Sequence, residues 1–146
     1  MLRSLLFILI AAGAAVPALA FEFRSVSEKA AVLYDAPSAK AKKLYIVNSG
    51  YPVEVVVMVE SWAKVRDASG NLSWIESKNL TDKRTVMIKV PLAQVRQNAD
   101  DNAPVVFQAQ QNVILDLLEV ASGGWLRVRH SDGQTGFVKV SQVWGA

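Results

Sequence analysis

The sequence predicts an all-β protein, two small β-barrels in tandem behind an N-terminal signal peptide, and three observations carry that prediction. The chain repeats itself: sliding it by 63 positions lays Trp62 on Trp125, Val65 on Val128, Arg66 on Arg129, Gly70 on Gly133, Trp74 on Phe137 and Ile75 on Val138 without a gap. Apolar residues past the signal recur with a period of two, and nowhere do they hold a 3.6-residue period for three turns. Each copy also carries two alternating segments around a glycine-containing turn, WAKVRDASGNLSWIE and WLRVRHSDGQTGFVKV, the pattern of a β-hairpin whose turn needs positive φ.

Upstream the repeat continues at an offset of 62: Val26 falls on Ile88, Leu33 on Val95, Val53 on Leu115 and Val55 on Leu117, and Gly50 meets Asn112 at a turn position. The second copy therefore holds one extra residue between Leu117 and Trp125, in the loop before the hairpin, where lengthening costs little entropy. The boundaries read as a signal peptide over 1–20, a first domain over 21–82 and a second over 85–146.

In chain order, Arg3 precedes the apolar run LLFILIAAGAAV, Pro17 ends its helix, and Ala18-Leu19-Ala20 places small residues where a signal peptidase reads them. Cleavage after Ala20 and a periplasmic or otherwise exported location are expected. The alternative, an uncleaved membrane anchor, is opposed by a run shorter than the ~20 residues a span needs. No cysteine follows the small-residue site, which excludes a lipoprotein. Strands are then expected at FEFRSV, AVLY, LYIV and PVEVVVMV, through the hairpin and into SKNL. The second copy repeats them as VMIKV, AQVRQ, VVFQ, VILDLLEV, the hairpin and SQVW. EVVVMV would be an aggregation hazard on an open edge, so it is expected to be central. Residues 81–85 form the only polar stretch between copies, too short for a flexible linker, so the barrels should sit close together.

Composition narrows the function. Removing residues 1–20 takes away one cation, Arg3, and leaves a formal net charge of +2, too small to suggest nucleic acid. With no cysteine, neither disulfides nor thiolate metal sites are available. No cofactor is expected. His130, Ser131 and Asp132 supply the residue types of a hydrolase triad, but consecutive positions cannot set a base between nucleophile and orienter. His130 reads as a solvated turn residue, matched by Asp67 in the first copy. Asp100, Asp101 and Asn102 lack the spacing of a calcium loop and read as a loop tip, so no metal site is expected.

Each copy resembles the bacterial SH3-like domain, whose recurrent features are an opening V-R strand, a central V-x-V strand, then G-G-W-x-x-V and G-x-x-G-[WF]-[VI]. The second copy carries Val95-Arg96, Leu115-Asp116-Leu117, Gly123-Gly124-Trp125-Leu126-Arg127-Val128 and Gly133-Gln134-Thr135-Gly136-Phe137-Val138. The first departs more, with Leu33-Tyr34 for Val-Arg, Glu60-Ser61 for the glycine pair and Ser73 for the glycine before Trp74. The resemblance implies two SH3-like barrels. Such domains often accompany Cys-His cell-wall peptidases, yet this chain has no cysteine and no length left for a catalytic domain, so it is expected not to be an enzyme. The eukaryotic SH3 domain is a further likeness through Ala31-Val32-Leu33-Tyr34-Asp35. Its polyproline slot is dismantled, because Glu76 and Asn79, or Lys139 and Gln142, fill the places of its Pro and Tyr.

Strand alternation sets Trp125, Arg127 and Arg129 opposite Leu126 and Val128, and Trp62, Lys64 and Arg66 opposite Ala63 and Val65. With the apolar side inward, each Trp should emerge beside cations, equipment for gripping a peptide or a sugar ring. The competing expectation is that each Trp caps a barrel end or packs between the copies. Candidate ligand-binding residues are Tyr34, Tyr51, Trp62, Arg66, Trp74, Trp125, Arg127, Arg129 and Phe137. The first copy should dominate affinity, having Tyr34, Tyr51 and Trp74 where the second has Arg96, Val113 and Phe137. The expected function is a monomeric, non-enzymatic periplasmic module contacting peptidoglycan or its peptide stems through Trp-centred clefts near the tandem junction. No stable membrane span should remain after signal cleavage. The alternative is a scaffold module binding another envelope protein, by strand addition to a sheet edge.

Overall fold

A computed structural model describes residues 22–146; the expected signal peptide lies outside the described residues. The first copy forms β1 (Glu22–Val26), β2 (Ala31–Tyr34), β3 (Lys43–Val47), β4 (Pro52–Val59), β5 (Trp62–Arg66), β6 (Leu72–Glu76) and β7 (Leu80–Thr81). The second forms β8 (Thr85–Ile88), β9 (Leu92–Arg96), β10 (Val105–Gln110), β11 (Ile114–Val120), β12 (Trp125–Arg129), β13 (Thr135–Lys139) and β14 (Val143–Trp144). The pairing orders are β3-β2-β6-β5-β4-β1-β7 and β10-β9-β13-β12-β11-β8-β14, the same path twice. All pairs are antiparallel, and no α-helix occurs among the described residues.

Period-two burial makes each sheet curl. Val26, Leu33, Val53, Val65 and Ile75, from five strands, meet in one buried cluster, which a flat sheet could not achieve. Ile88, Val95, Leu115, Val128 and Val138 do the same in the second copy, with no residue shared between the two cores. Each such aliphatic side chain contributes about 1.5–3 kcal/mol on full burial. β4 is paired by β1 over Pro52–Val55 and by β5 from Glu54 to Val59, so it lies between two strands as a central strand should. Beyond β1 the strand continues as Val57, Met58 and Val59, all exposed, so only its first half is protected.

The extra residue of the second copy sits in the loop before the hairpin. The first copy joins the paired Val59 and Trp62 through Glu60-Ser61, whereas the second uses a three-residue 3-10 turn, Ser122–Gly124. Gly50 and Asn112 both take left-handed backbone, φ 83° and 72°. The closing segments differ from the strands expected at SKNL and SQVW. Ser77–Asn79 and Val140–Gln142 each form one 3-10 turn before the two-residue strands β7 and β14, which lets the chain fold back onto the first strand of its own copy.

The copies are fastened to each other by short bonds to the linker and by rings. Ser25 Oγ donates to the Lys83 carbonyl at 2.7 Å, and Thr85 Oγ1 donates to the Gly50 carbonyl at 2.6 Å. Phe23 meets Trp144 edge to face, with Arg84 5.6 Å from the Phe23 centroid and its Nη2 donating to the Gly145 carbonyl at 2.8 Å. Gly145, at φ 109°, is required here: a Cβ would lie 2.8 Å from the Thr85 carbonyl oxygen and 3.1 Å from Pro52 Cβ.

Candidate functional site

Three aromatic residues of the first copy, Tyr34, Trp62 and Trp74, gather on the outer face of β2, β5 and β6. The register sets Lys64 opposite Trp74, Trp62 opposite Glu76 and Tyr34 opposite Trp74, so all five side chains share the face turned away from Ala63, Val65 and Ile75. Tyr34 meets the Trp62 ring edge on, at 5.4 Å and 87°, and Lys64 Nζ lies 6.0 Å from the Trp74 ring. Trp62 and Trp74 remain half-buried, with an open edge to solvent. Tyr34 does not: it is only 8% exposed and packs edge-on against Trp62, so this candidate ligand-binding residue is largely covered.

In the second copy the position equivalent to Trp62 is closed. Trp125 is only 8% exposed rather than emerging from the barrel, because Lys139, paired opposite it, lies 5.7 Å from its ring and forms an ion pair with Asp101 at 2.6 Å. The expected alternation holds, with Arg127 and Arg129 exposed and Leu126 and Val128 buried, but a Trp at a strand start can share the outer face and still be covered by its neighbours. Phe137 is half-buried between Arg127 and Arg96 in the ladder, and the Arg96 guanidinium is tied to the Ala103 carbonyl at 2.8 Å. Copy two therefore covers its tryptophan with a lysine where copy one has Glu76.

The other candidates fall elsewhere. Arg66 donates to Glu54 at 2.7 Å, and its counterpart Arg129 to Asp116 at 3.2 Å, so a cross-strand acid–arginine pair is repeated in both copies. Tyr51 is remote from the tryptophan cleft. It packs on the first core beside the junction, where burial and then the Asp67 charge push its hydroxyl pKa up from the usual 10.0. His130 is half-buried against Phe107, 5.6 Å between ring centroids, rather than simply solvated. Its Nδ1 accepts the Asp132 N–H at 3.2 Å, as Asp67 Oδ1 accepts Ser69 N–H in the first copy. Among the described residues no group of three or more His, Asp or Glu side chains could hold a metal ion.

The junction is not built as the sequence suggested. Its tryptophan is Trp144, and Trp62, Trp74 and Trp125 line neither of the two grooves there. Phe23, Arg84 and Trp144 are the junction residues that the sequence reading did not single out. A signal existed: the repeat alignment puts Thr85 opposite Phe23 and Thr81 opposite Trp144. Large rings present in one copy alone are what a contact between unlike faces requires.

Two small curled sheets follow one strand path in tandem, the first copy with half-buried tryptophans on its outer face and the second with its tryptophan covered. The bacterial SH3 domain model matches residues 27–82 and 89–145, and the chain belongs to that family. No match was found among the curated proteins. Similar solved structures include NlpC2 from Trichomonas vaginalis, at 14% identity and TM-score 0.40 over 88% of this chain and 49% of that one. NlpC1 from the same organism gives 14% and 0.41 over 96% and 51%. An NlpC/P60 family protein from Bacillus cereus ATCC 10987 gives 17% and 0.39 over 84% and 56%. The chain thus spans about half the length of these structures. No helix among the described residues is long and apolar enough to cross a membrane.

Proposed function

We propose that this protein is a non-enzymatic, exported binding module that grips the cell wall, a peptidoglycan strand or its peptide stem, through the Tyr34–Trp62–Trp74 cleft of the first copy. The observation that carries the reading is the contrast between copies: Trp62 and Trp74 keep open edges beside Lys64, while Trp125 is covered by Lys139. Exposed rings next to a cation stack on sugar or peptide planes at about 1 kcal/mol per contact. Bacterial SH3 domains are typically binding modules without chemistry of their own, which supports the non-enzymatic part of this reading. The test is co-sedimentation with purified peptidoglycan. Wild type should sediment, and Trp62→Ala and Trp74→Ala should release it at unchanged melting temperature; full retention by both variants overturns the proposal.

A second reading, binding of an envelope protein by strand addition, is favoured by one feature. Edge strand β3 leaves Tyr45 57% and Ile46 75% exposed beside an unpaired backbone. Proline at position 46 would abolish such binding while leaving wall sedimentation intact.

A further inference from the structure

The larger groove at the tandem junction, about 880 Å³, lies within the range of ligand pockets and is lined by both copies and the linker between them. Its charges are mixed, Lys29, Lys83 and Arg129 against Glu28 and Asp116. We propose that it is a second binding site, for a short peptide that carries both a free carboxylate and a free amine. The proposal deepens the cell-wall reading and rests on it.

The repeat shows what is special here. In the first copy, Glu54 and Arg66 close on each other at 2.7 Å, with the glutamate side chain 12% exposed. In the second, the acid is one methylene shorter and 27% exposed, and it takes two cations: Arg129 at 3.2 Å and, from the linker, Lys83 at 3.2 Å. One carboxylate shared by two cations leaves positive charge and unused N–H donors, since lysine offers three and arginine five. Those cations are 59% and 47% exposed, so they can turn to a ligand carboxylate. Lys29 on the β1–β2 loop adds a third positive group, and Glu28 beside it makes no ion pair among the described residues. A dianionic phosphate would face two carboxylates. A zwitterionic peptide instead meets opposite charge at both ends, its carboxylate among Arg129, Lys83 and Lys29 and its amine at Glu28. The site is separate from the tryptophan cleft, because no tryptophan lines it.

The test is an NMR titration of the full chain with the tetrapeptide Ala-Glu-Lys-Ala, against an acetylated and amidated analogue with glutamine at both charged positions. The charged peptide should shift the backbone amides of Lys29, Gly50 and Lys83, and the neutral one should not. Lys29→Gln and Arg129→Gln should each weaken binding about tenfold, the scale of one charge-assisted hydrogen bond. Trp62→Ala should leave this titration unchanged, so the groove and the tryptophan cleft succeed or fail separately. Lys29 lies in an exposed loop, and its variant decides the matter even if Arg129→Gln unfolds. Absence of shifts at the groove, equal binding of the neutral peptide, or undiminished binding in Lys29→Gln overturns the proposal.

Discussion

Phe23 and Trp144 stand edge to face at 5.1 Å and 86°, joining the first strand of one repeat to the last strand of the other. The contact makes the tandem a unit, and removing it should separate the unit. Phe23→Ala is expected to lower stability by roughly 1–3 kcal/mol and to split one calorimetric transition into two. An unaltered single transition would show that the linker bonds suffice.

Glu60 occupies left-handed backbone at φ 54°, where the second copy uses Gly123 at φ 72° and Gly124 at φ 81°. Glu60→Gly should therefore raise stability by about 1 kcal/mol, read as a higher urea midpoint. Ser61→Gly, at a residue without positive φ, is the control and should bring no gain.

Gly136 has no room for a side chain: a Cβ would lie 2.6 Å from Val95 Cγ1 and 2.8 Å from the Arg96 carbonyl oxygen. Gly136→Ser should cost about 2 kcal/mol by overpacking, although serine is what the first copy carries there. Ser73 is buried with a partnerless hydroxyl, so Ser73→Ala should be neutral or stabilising by up to about 1 kcal/mol in the same denaturation assay.

The Tyr51 hydroxyl has a pKa raised above 10.0, by burial first and by Asp67 second. A raised folded-state value means that the unfolded chain loses the proton first. The stability linked to Tyr51 is thus complete below pH 10 and declines as pH climbs through the folded value. Tyr51→Phe should flatten the alkaline limb of a stability–pH profile and leave neutral pH unaffected.

Binding and stability should part according to how deeply each ring is buried. Trp125→Ala and Tyr34→Ala remove side chains only 8% exposed and should lower the melting temperature, by several degrees for a loss of about 2 kcal/mol. Trp62→Ala, at a half-buried ring, should reduce wall binding with the fold intact. Losses of binding that track stability in all three variants would assign these rings to packing alone.

Strand positions other than the closing segments, the duplicated hairpin and the slip before Trp125 were legible from the residues alone. Period-two alternation and an internal repeat are local facts, and Val65, Ile75, Val128 and Val138 are buried because their neighbours in sequence force them to one face. The left-handed turn shared by Gly50 and Asn112 was equally legible, since it depends on backbone preference at a single residue.

Exposure on the outer face was not legible in that way. Alternation says which face a ring occupies, whereas what covers the ring depends on chain far away in sequence: Lys139 and Asp101 close over Trp125, while Glu76 leaves Trp62 open. The junction lay further still beyond sequence reasoning. Two copies of one pattern specify two equal barrels, and only their docking decides that Phe23 and Trp144 become a contact and that Lys83 reaches Asp116. Local periodicity determined the fold, because each strand buries one face whatever its neighbours are; the sites belong to tertiary structure, because a cleft exists only where distant segments leave a surface uncovered.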